Sequence, residues 1–161
     1  MRAPLLATVL LLVACTPQAA SESGQPGPVP ELDDHFGLGE LTVVSDDGAS
    51  HEFRVYLATE FEQQRRGLMF VRELPLDVGM LFIYDSDAIR SMWMKNTYIP
   101  LDMLFIRGDG TVSSVIANTT PHSLETQSAV EPVNFVLELN AGMAERLRLG
   151  ERSRIVFTHL E

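Results

Sequence analysis

The sequence predicts a mainly β domain, an antiparallel sandwich or partly closed barrel of about eight short strands with two short helices. Three observations carry this reading. Apolar residues alternate with polar ones in runs of five to seven residues. Turn pairs such as Asp47-Gly48 and Gly108-Asp109-Gly110 separate the runs. Only two short helical stretches interrupt the runs, and no internal repeat or heptad occurs. Short period-two runs punctuated by turn residues are the pattern of sandwiches and small barrels.

Leu41–Ser45 and His51–Leu57 flank Asp47-Gly48 and read as a hairpin. In the second run Phe53, Val55 and Leu57 face one way, and Glu52, Arg54 and Tyr56 the other. Thr59, three residues before Glu62, forms a capping box that opens a helix, and Gly67 supplies a left-handed stop. Met80–Tyr84, Met92–Lys95 and Leu101–Arg107 are strands, the last two pairing across the short loop Asn96–Pro100. Thr111–Ala117, Val133–Leu139 and Arg154–His159 complete the set. A second helix covers about Ala141–Leu149, capped by Asn140 and ended by Gly150.

The N-terminal stretch is set apart from this domain. Leu5–Val13 is a short apolar core behind Arg2, too short to span a bilayer, so residues 1–14 read as a secretory signal. Leu12-Val13-Ala14-Cys15 resembles the lipobox of bacterial lipoproteins. That resemblance implies cleavage before Cys15, lipidation there, and partnership with a membrane. Residues 15–38, with Pro17, Pro26, Pro28 and Pro30, form a flexible tether holding a domain of residues 39–161 roughly 25 Å from its anchor. Thr16 rather than aspartate follows the cysteine, which favours the outer membrane, facing the periplasm. Cys15 is the only cysteine, so a lipidated chain has no free thiol and no disulfide.

The chain holds 12 basic and 22 acidic residues, a net charge of −10. Such a surface is repelled by nucleic acid, which is set aside as a partner. No nucleophile elbow, phosphate loop, His-Glu-x-x-His or dinucleotide fingerprint is present. No catalytic residue, metal or cofactor is assigned.

Ser91 to Asp102 is the most concentrated stretch of chemistry. It joins the only tryptophan, Trp93, to Lys95, Asn96 and Asp102 within an otherwise apolar run. Charges there are costly unless paired, so Lys95 and Asp102 are expected to form an ion pair. The same residues could instead line a polar site. Trp93 offers a stacking face, and Lys95 with Arg66 or Arg72 offers charge to an anionic group. Ligand-binding candidates are therefore Arg66, Arg72, Trp93, Lys95, Asn96 and Asp102. Met69, Met80, Met92, Met94 and Met103 suit a Cu(I) site by ligand softness, although core packing is the plainer account. Glu138, flanked by Leu137 and Leu139, faces outward unless a layer covers it. If covered, it becomes a candidate acid, beside Asp102 in a hydrolase-like arrangement, or a partner for an arginine. Of the histidines, His122 lies in the long polar loop 118–131, which is either a cover over a site or mobile.

Arg66-Gly67-Leu68-Met69, Arg72, Gly79-Met80-Leu81-Phe82, Trp93-Met94-Lys95-Asn96-Thr97, Pro100-Leu101-Asp102 and Leu137-Glu138-Leu139-Asn140-Ala141-Gly142 together resemble the family called domain of unknown function 192. The resemblance covers nearly all of residues 40–159, and its closing Gly-Asp is Gly150-Glu151 here. It implies a mainly β, sandwich-like fold in a bacterial or archaeal, often exported, protein and leaves the activity open. Three roles remain open: a tethered module binding a small polar ligand or glycan, a hydrolase-like enzyme using Asp102 and Glu138, and an assembly lipoprotein.

The anchor is testable. Cys15→Ser should release the protein from the membrane fraction into the soluble envelope, because stable anchoring comes from the lipid chains. Retention at the membrane with normal processing would rule it out.

Overall fold

The computed structural model describes residues 29–160. The signal segment, Cys15 and the tether as far as Pro28 lie outside the described residues. The elements run α1 (Pro30–Asp33), β1 (Gly37–Val44), β2 (Ser50–Ala58), α2 (Phe61–Arg66), β3 (Val78–Ala88), β4 (Ser91–Met92), β5 (Leu101–Ile106), β6 (Val112–Ile116), β7 (Gln127–Ser128), β8 (Val133–Asn140), α3 (Met143–Arg146) and β9 (Arg154–Leu160).

Seven strands make one curled sheet in the order β6-β5-β8-β3-β2-β1-β9. Its two edges meet at one end. Thr111 bridges Arg154, Val112 N–H donates to the Ser153 carbonyl at 2.9 Å, and Ile155 N–H donates to that of Gly110 at 2.8 Å. The result is the partly closed barrel that the alternation predicts. One side chain in two from each strand points inward: Leu41 and Val43, Phe53 to Leu57 by twos, Leu81, Leu104 and Ile106, Val112, Leu137 and Leu139, and Ile155 form a single buried cluster.

The outer face is apolar as well. Tyr56, Ala58, Val78, Met80, Phe82, Met103, Phe105 and Val136 form a second cluster on the other side of the same strands. Apolar area on both faces demands two covers. The outer cover is built from chain segments rather than a second full sheet: Val29, Leu32 and Phe36, then Leu68, Val71 and Leu74, then Met92 and Met94.

That cover corrects the expected tether. The domain does not begin at Gly39. Val29, Leu32 and Phe36 are buried in its outer layer, and the Tyr56 hydroxyl accepts from Val29 N–H at 2.9 Å and donates to Asp33 at 2.6 Å. Burial first, and the Asp33 hydrogen bond second, push the Tyr56 phenol well above its ordinary range.

Other expectations shift locally. The β2–β3 pair is parallel, because the connection 59–77 carries α2 and is long enough for a crossover. Gly79 lets β8 approach β3. A Cβ there would lie 2.7 Å from the Glu138 carbonyl oxygen. The helix cap sits one residue later than predicted. Gln63 Oε1 accepts from Glu60 N–H and Thr59 N–H at 3.0 Å each, and Gly67 ends the helix at φ +49°. The second helix shrinks to α3 behind a left-handed Gly142. Asn140 does not cap it. Its side chain donates to the Leu74 and Pro75 carbonyls instead.

Deletion of residues up to Asp33 should lower the melting temperature markedly, and Leu32→Ala alone should cost about 2–5 kcal/mol, the range for emptying a fully buried leucine site. Chemical denaturation checks both. An unchanged midpoint would mean that residues 29–36 contribute nothing to the core.

Candidate functional site

The stretch 92–99 is not half of a hairpin with β5. Only Ser91 and Met92 are in a strand, and their partners are Ser128 and Gln127 of β7. Met94 N–H donates to the Ser123 carbonyl at 3.0 Å, and His122 N–H to that of Thr97 at 3.2 Å. The long polar loop 118–131 is thus the backbone partner of the tryptophan segment. Two buried methionines explain the departure from the sheet. Met92 and Met94 insert into the outer core, so this piece of chain lies over β3 and β5 rather than beside them. Trp93 and Lys95 point out, as alternation requires, with Lys95 Nζ 5.1 Å from the indole centroid.

Side chains from three segments enclose a groove of about 740 Å³. The first wall is Asp34, His35 and Phe36. The second is Glu62, Gln63, Arg65 and Arg66 from α2, followed by Met69 and Phe70. The third is Trp93, Lys95 and Asn96. Gln63 Nε2 donates to the His35 carbonyl at 2.8 Å and ties the first wall to the second. Phe70 N–H donates to the Asn96 carbonyl at 2.9 Å and ties the second to the third. Two residues of this lining hold left-handed backbone without being glycine: Phe70 at φ 70° and Asn96 at 56°. For Phe70, whose side chain is half-exposed, that conformation costs on the order of 1 kcal/mol. Such strain persists where surrounding bonds enforce it, and it gathers at functional sites.

The charge balance of the groove differs from that of the molecule. Lys95 is the only lysine of an acidic chain. Arg65 lies 3.6 Å from Glu62, both well exposed. Arg66 and Lys95 form no ion pair among the described residues, and Arg66 Nε is buried without a hydrogen-bond partner. Trp93 is 46% exposed beside them.

Four of the six sequence candidates therefore share the groove: Arg66, Trp93, Lys95 and Asn96. Two do not. The Arg72 guanidinium stacks 4.7 Å from the Tyr98 ring centroid, and that ring also meets Phe70 and His122 edgewise or tilted. Asp102 is fully buried on the inner face of β5. Its carboxylate accepts from Asn118 N–H at 2.8 Å and from Ala144 N–H at 2.7 Å. It holds the end of β6 and the first turn of α3 to β5, and backbone amides take the place of the expected Lys95 partner. The Lys95–Asp102 ion pair is thereby corrected.

Glu138 is covered. It stands on the outer face opposite Met80 of β3 and Met103 of β5 and is 4% exposed. Asp102, one residue before Met103, faces the other side of the sheet, so the two carboxylates cannot converge on one water. That removes the Asp102–Glu138 hydrolase arrangement. Below the groove, Glu138 lines a crevice of about 20 Å³ with Thr97, Phe82 and Met92, and the crevice shares Arg65, Arg66, Met69 and Trp93 with the groove. Burial, with no hydrogen bond among the described residues to offset it, pushes the Glu138 carboxyl up to about 8. Met80, Met92, Met94 and Met103 lie in the outer core. The sulfur of Met94 accepts from Thr119 Oγ1 at 3.2 Å, which is the packing role methionine often plays. Among the described residues no three His, Cys, Asp or Glu side chains gather to hold a metal ion.

Sequence reasoning missed Arg65, Phe70 and the wall of residues 34–36, and it weighed Met69 only as a soft metal ligand or core filler. A signal for that wall existed: Val29, Leu32 and Phe36 recur at i, i+3 and i+7, the spacing of an apolar helical stripe.

Residues 42–157 match the model of the family described as DUF192, Uncharacterized ACR. A crystal structure of a Sinorhizobium meliloti 1021 protein, described as a candidate transcription regulator, is 40% identical. It covers 76% of this chain and 95% of its own, with a TM-score of 0.74. A Novosphingobium aromaticivorans DSM 12444 protein of unknown function is 33% identical over 87% of this chain and 98% of its own, at a TM-score of 0.76. No curated protein matches the chain.

The raised Glu138 carboxyl makes stability depend on pH with a definite sign. The folded state keeps a proton that the unfolded chain releases in the ordinary glutamate range. Stability from this source is therefore full at low pH and is lost as pH rises toward 8. Unfolding midpoints of the native protein should fall between about pH 5.5 and about pH 8.5, and Glu138→Gln should flatten that part of the profile. An identical slope in the variant would refute the assignment.

Proposed function

This chain belongs to the DUF192 family, and we propose that it is a non-catalytic, membrane-tethered module whose groove binds a small polar ligand carrying an anionic group, such as an acidic sugar of an envelope glycan. The observation that carries this reading is the pair of cations without carboxylate partners, Arg66 and Lys95, beside the half-exposed Trp93. In an acidic protein, cations kept free of carboxylates at one concave place favour an anion there. An exposed indole supplies the flat apolar face on which sugar rings and planar groups stack. Asn96 adds an amide with both donor and acceptor.

The same reading places the domain in the bacterial envelope, lipid-anchored through Cys15 in the outer membrane and facing the periplasm. It has no nucleic-acid partner and needs no cofactor. The regulator description of the Sinorhizobium protein does not carry over. A net charge of −10 opposes the phosphate contacts that supply most nucleic-acid affinity. Among the described residues no helix is long and apolar enough to cross a membrane. Membrane attachment in this reading rests on the lipid.

Trp93, the only tryptophan, reports the site directly. Titration with D-glucuronate should shift its fluorescence, D-glucose should do so far less, and added salt should weaken the response. Lys95→Met and Arg66→Gln should each reduce affinity roughly tenfold, about 1.4 kcal/mol. A response equal for glucose and glucuronate, or unaffected by both substitutions, would sink the anion reading.

A further inference from the structure

A buried acid without a hydrogen-bond partner is uncommon, because the polar group loses water and gains nothing. Glu138 comes close to that case: the residue is buried and its carboxyl has no hydrogen-bond partner among the described residues. It is 4% exposed in the outer core, with Met80 and Met103 as its cross-strand neighbours. An apolar residue of similar size would pack there at less cost, so packing alone does not account for it. The side chain does have an outlet. It lines a crevice of about 20 Å³ that shares Arg66 and Trp93 with the groove above. That volume holds about one water-sized atom. Arg66 brings to the same place a buried Nε–H with no acceptor. Among the described residues, two polar groups thus lack partners around a space for one atom, directly beneath the groove.

We propose that this crevice is the deep end of the ligand site, and that it takes one oxygen of an oxyanion which accepts hydrogen bonds from the Glu138 carboxyl and from Arg66. The inference rests on the groove reading and deepens it: the ligand is a carboxylate or phosphate-type anion, bound together with a proton held on Glu138.

The chemistry requires the protonated form. A carboxylate would repel an incoming oxyanion, whereas a carboxyl donates to it, and a hydrogen bond with one charged partner is the stronger kind. Burial supplies that proton at neutral pH, since the Glu138 carboxyl is pushed up to about 8. The other groups around it are compatible. Tyr84 of β3, raised to about 12 chiefly by burial, stays neutral. Arg65 and Arg66 come from α2, and the segment 92–97 presents Met92, Trp93 and Thr97 to the crevice without a charge. From β5 the cross-strand neighbour of Glu138 is Met103.

The experiment is a Trp93 fluorescence titration with D-glucuronate across pH, on the full chain. Its carboxylate does not titrate between about pH 6 and about pH 9, so a pH effect belongs to the protein. Native affinity should fall roughly tenfold over that interval as Glu138 ionises. Glu138→Gln keeps an N–H donor and cannot ionise. It should bind with nearly constant affinity throughout. Glu138→Met offers no donor and should bind roughly tenfold more weakly even at the low end. Lys95→Arg should retain the native pH profile. Thermal melts confirm that each variant is folded.

Binding that depends on Lys95 and Arg66 but is flat with pH, or a Glu138→Gln protein that keeps the native slope, would overturn this inference and leave the groove reading standing. No response to glucuronate at any pH would remove the groove reading and this inference with it.

Discussion

The architecture follows from one constraint: its central sheet is apolar on both faces. A half-barrel of seven strands can fill its own interior, and Leu104, Leu137, Leu139 and their neighbours do so. It cannot cover its outside. Tyr56, Met80, Phe82, Met103 and Phe105 would otherwise be left in water, at roughly 25 cal/mol for each Å² of apolar surface. Segments that a strand-by-strand reading treats as connections are recruited as the second layer. The N-terminal stretch, the chain after α2 and the tryptophan segment each donate two or three buried side chains, and each presents its remaining residues to solvent. The groove is the seam where these three pieces meet. Its position is a consequence of how the outer face is covered, and its lining consists mostly of residues those segments did not bury.

How far the sequence could be read divides along the same line. The barrel interior was legible because its signal is local. Period-two alternation in Phe53-Val55-Leu57 and Leu104-Ile106 announces an inward face, and Asp47-Gly48 announces the turn. Family motifs marked the tryptophan segment, and Met92, Trp93, Met94 and Lys95 alternate as their sequence implies even though the strand does not exist. The outer layer was less legible because its partners are remote. Nothing within 92–102 says that its backbone bonds go to residues 118–128. The proline-rich composition before Val29 also hid the helical spacing of Val29, Leu32 and Phe36. Asp102 failed as a site residue for a related reason. Its partners are two backbone N–H groups, of Asn118 and Ala144, which leave no trace in side-chain patterning.

The two buried carboxylates make an instructive contrast. They lie on adjacent strands, one residue apart in register and on opposite faces. Asp102 is answered by two amides and acts as a fixed joint between β5, β6 and α3. Glu138 meets only sulfur and carbon on its own sheet, and its charged form has no such support. One acid is spent on structure. The other has no hydrogen-bond partner among the described residues, and it lines the crevice beneath the groove.

That asymmetry bears on how an acidic protein comes to hold an anion. The net charge of −10 sets up a field that disfavours approach of negative ligands, and a binding site must overcome it locally. Screening limits the opposing field to about 8–10 Å at physiological salt, so a few cations at short range can prevail. Arg66 and Lys95 are placed to do this, because no carboxylate of the described chain engages them. An ionised Glu138 beneath them would cancel half of that charge inside a low-dielectric crevice, where it acts most strongly. A neutral Glu138 leaves both cations without an ion pair among the described residues and adds a donor. Burial of this one side chain therefore does two things at once: it withholds a negative charge from the floor of the groove and supplies a proton at the place where an oxyanion needs one.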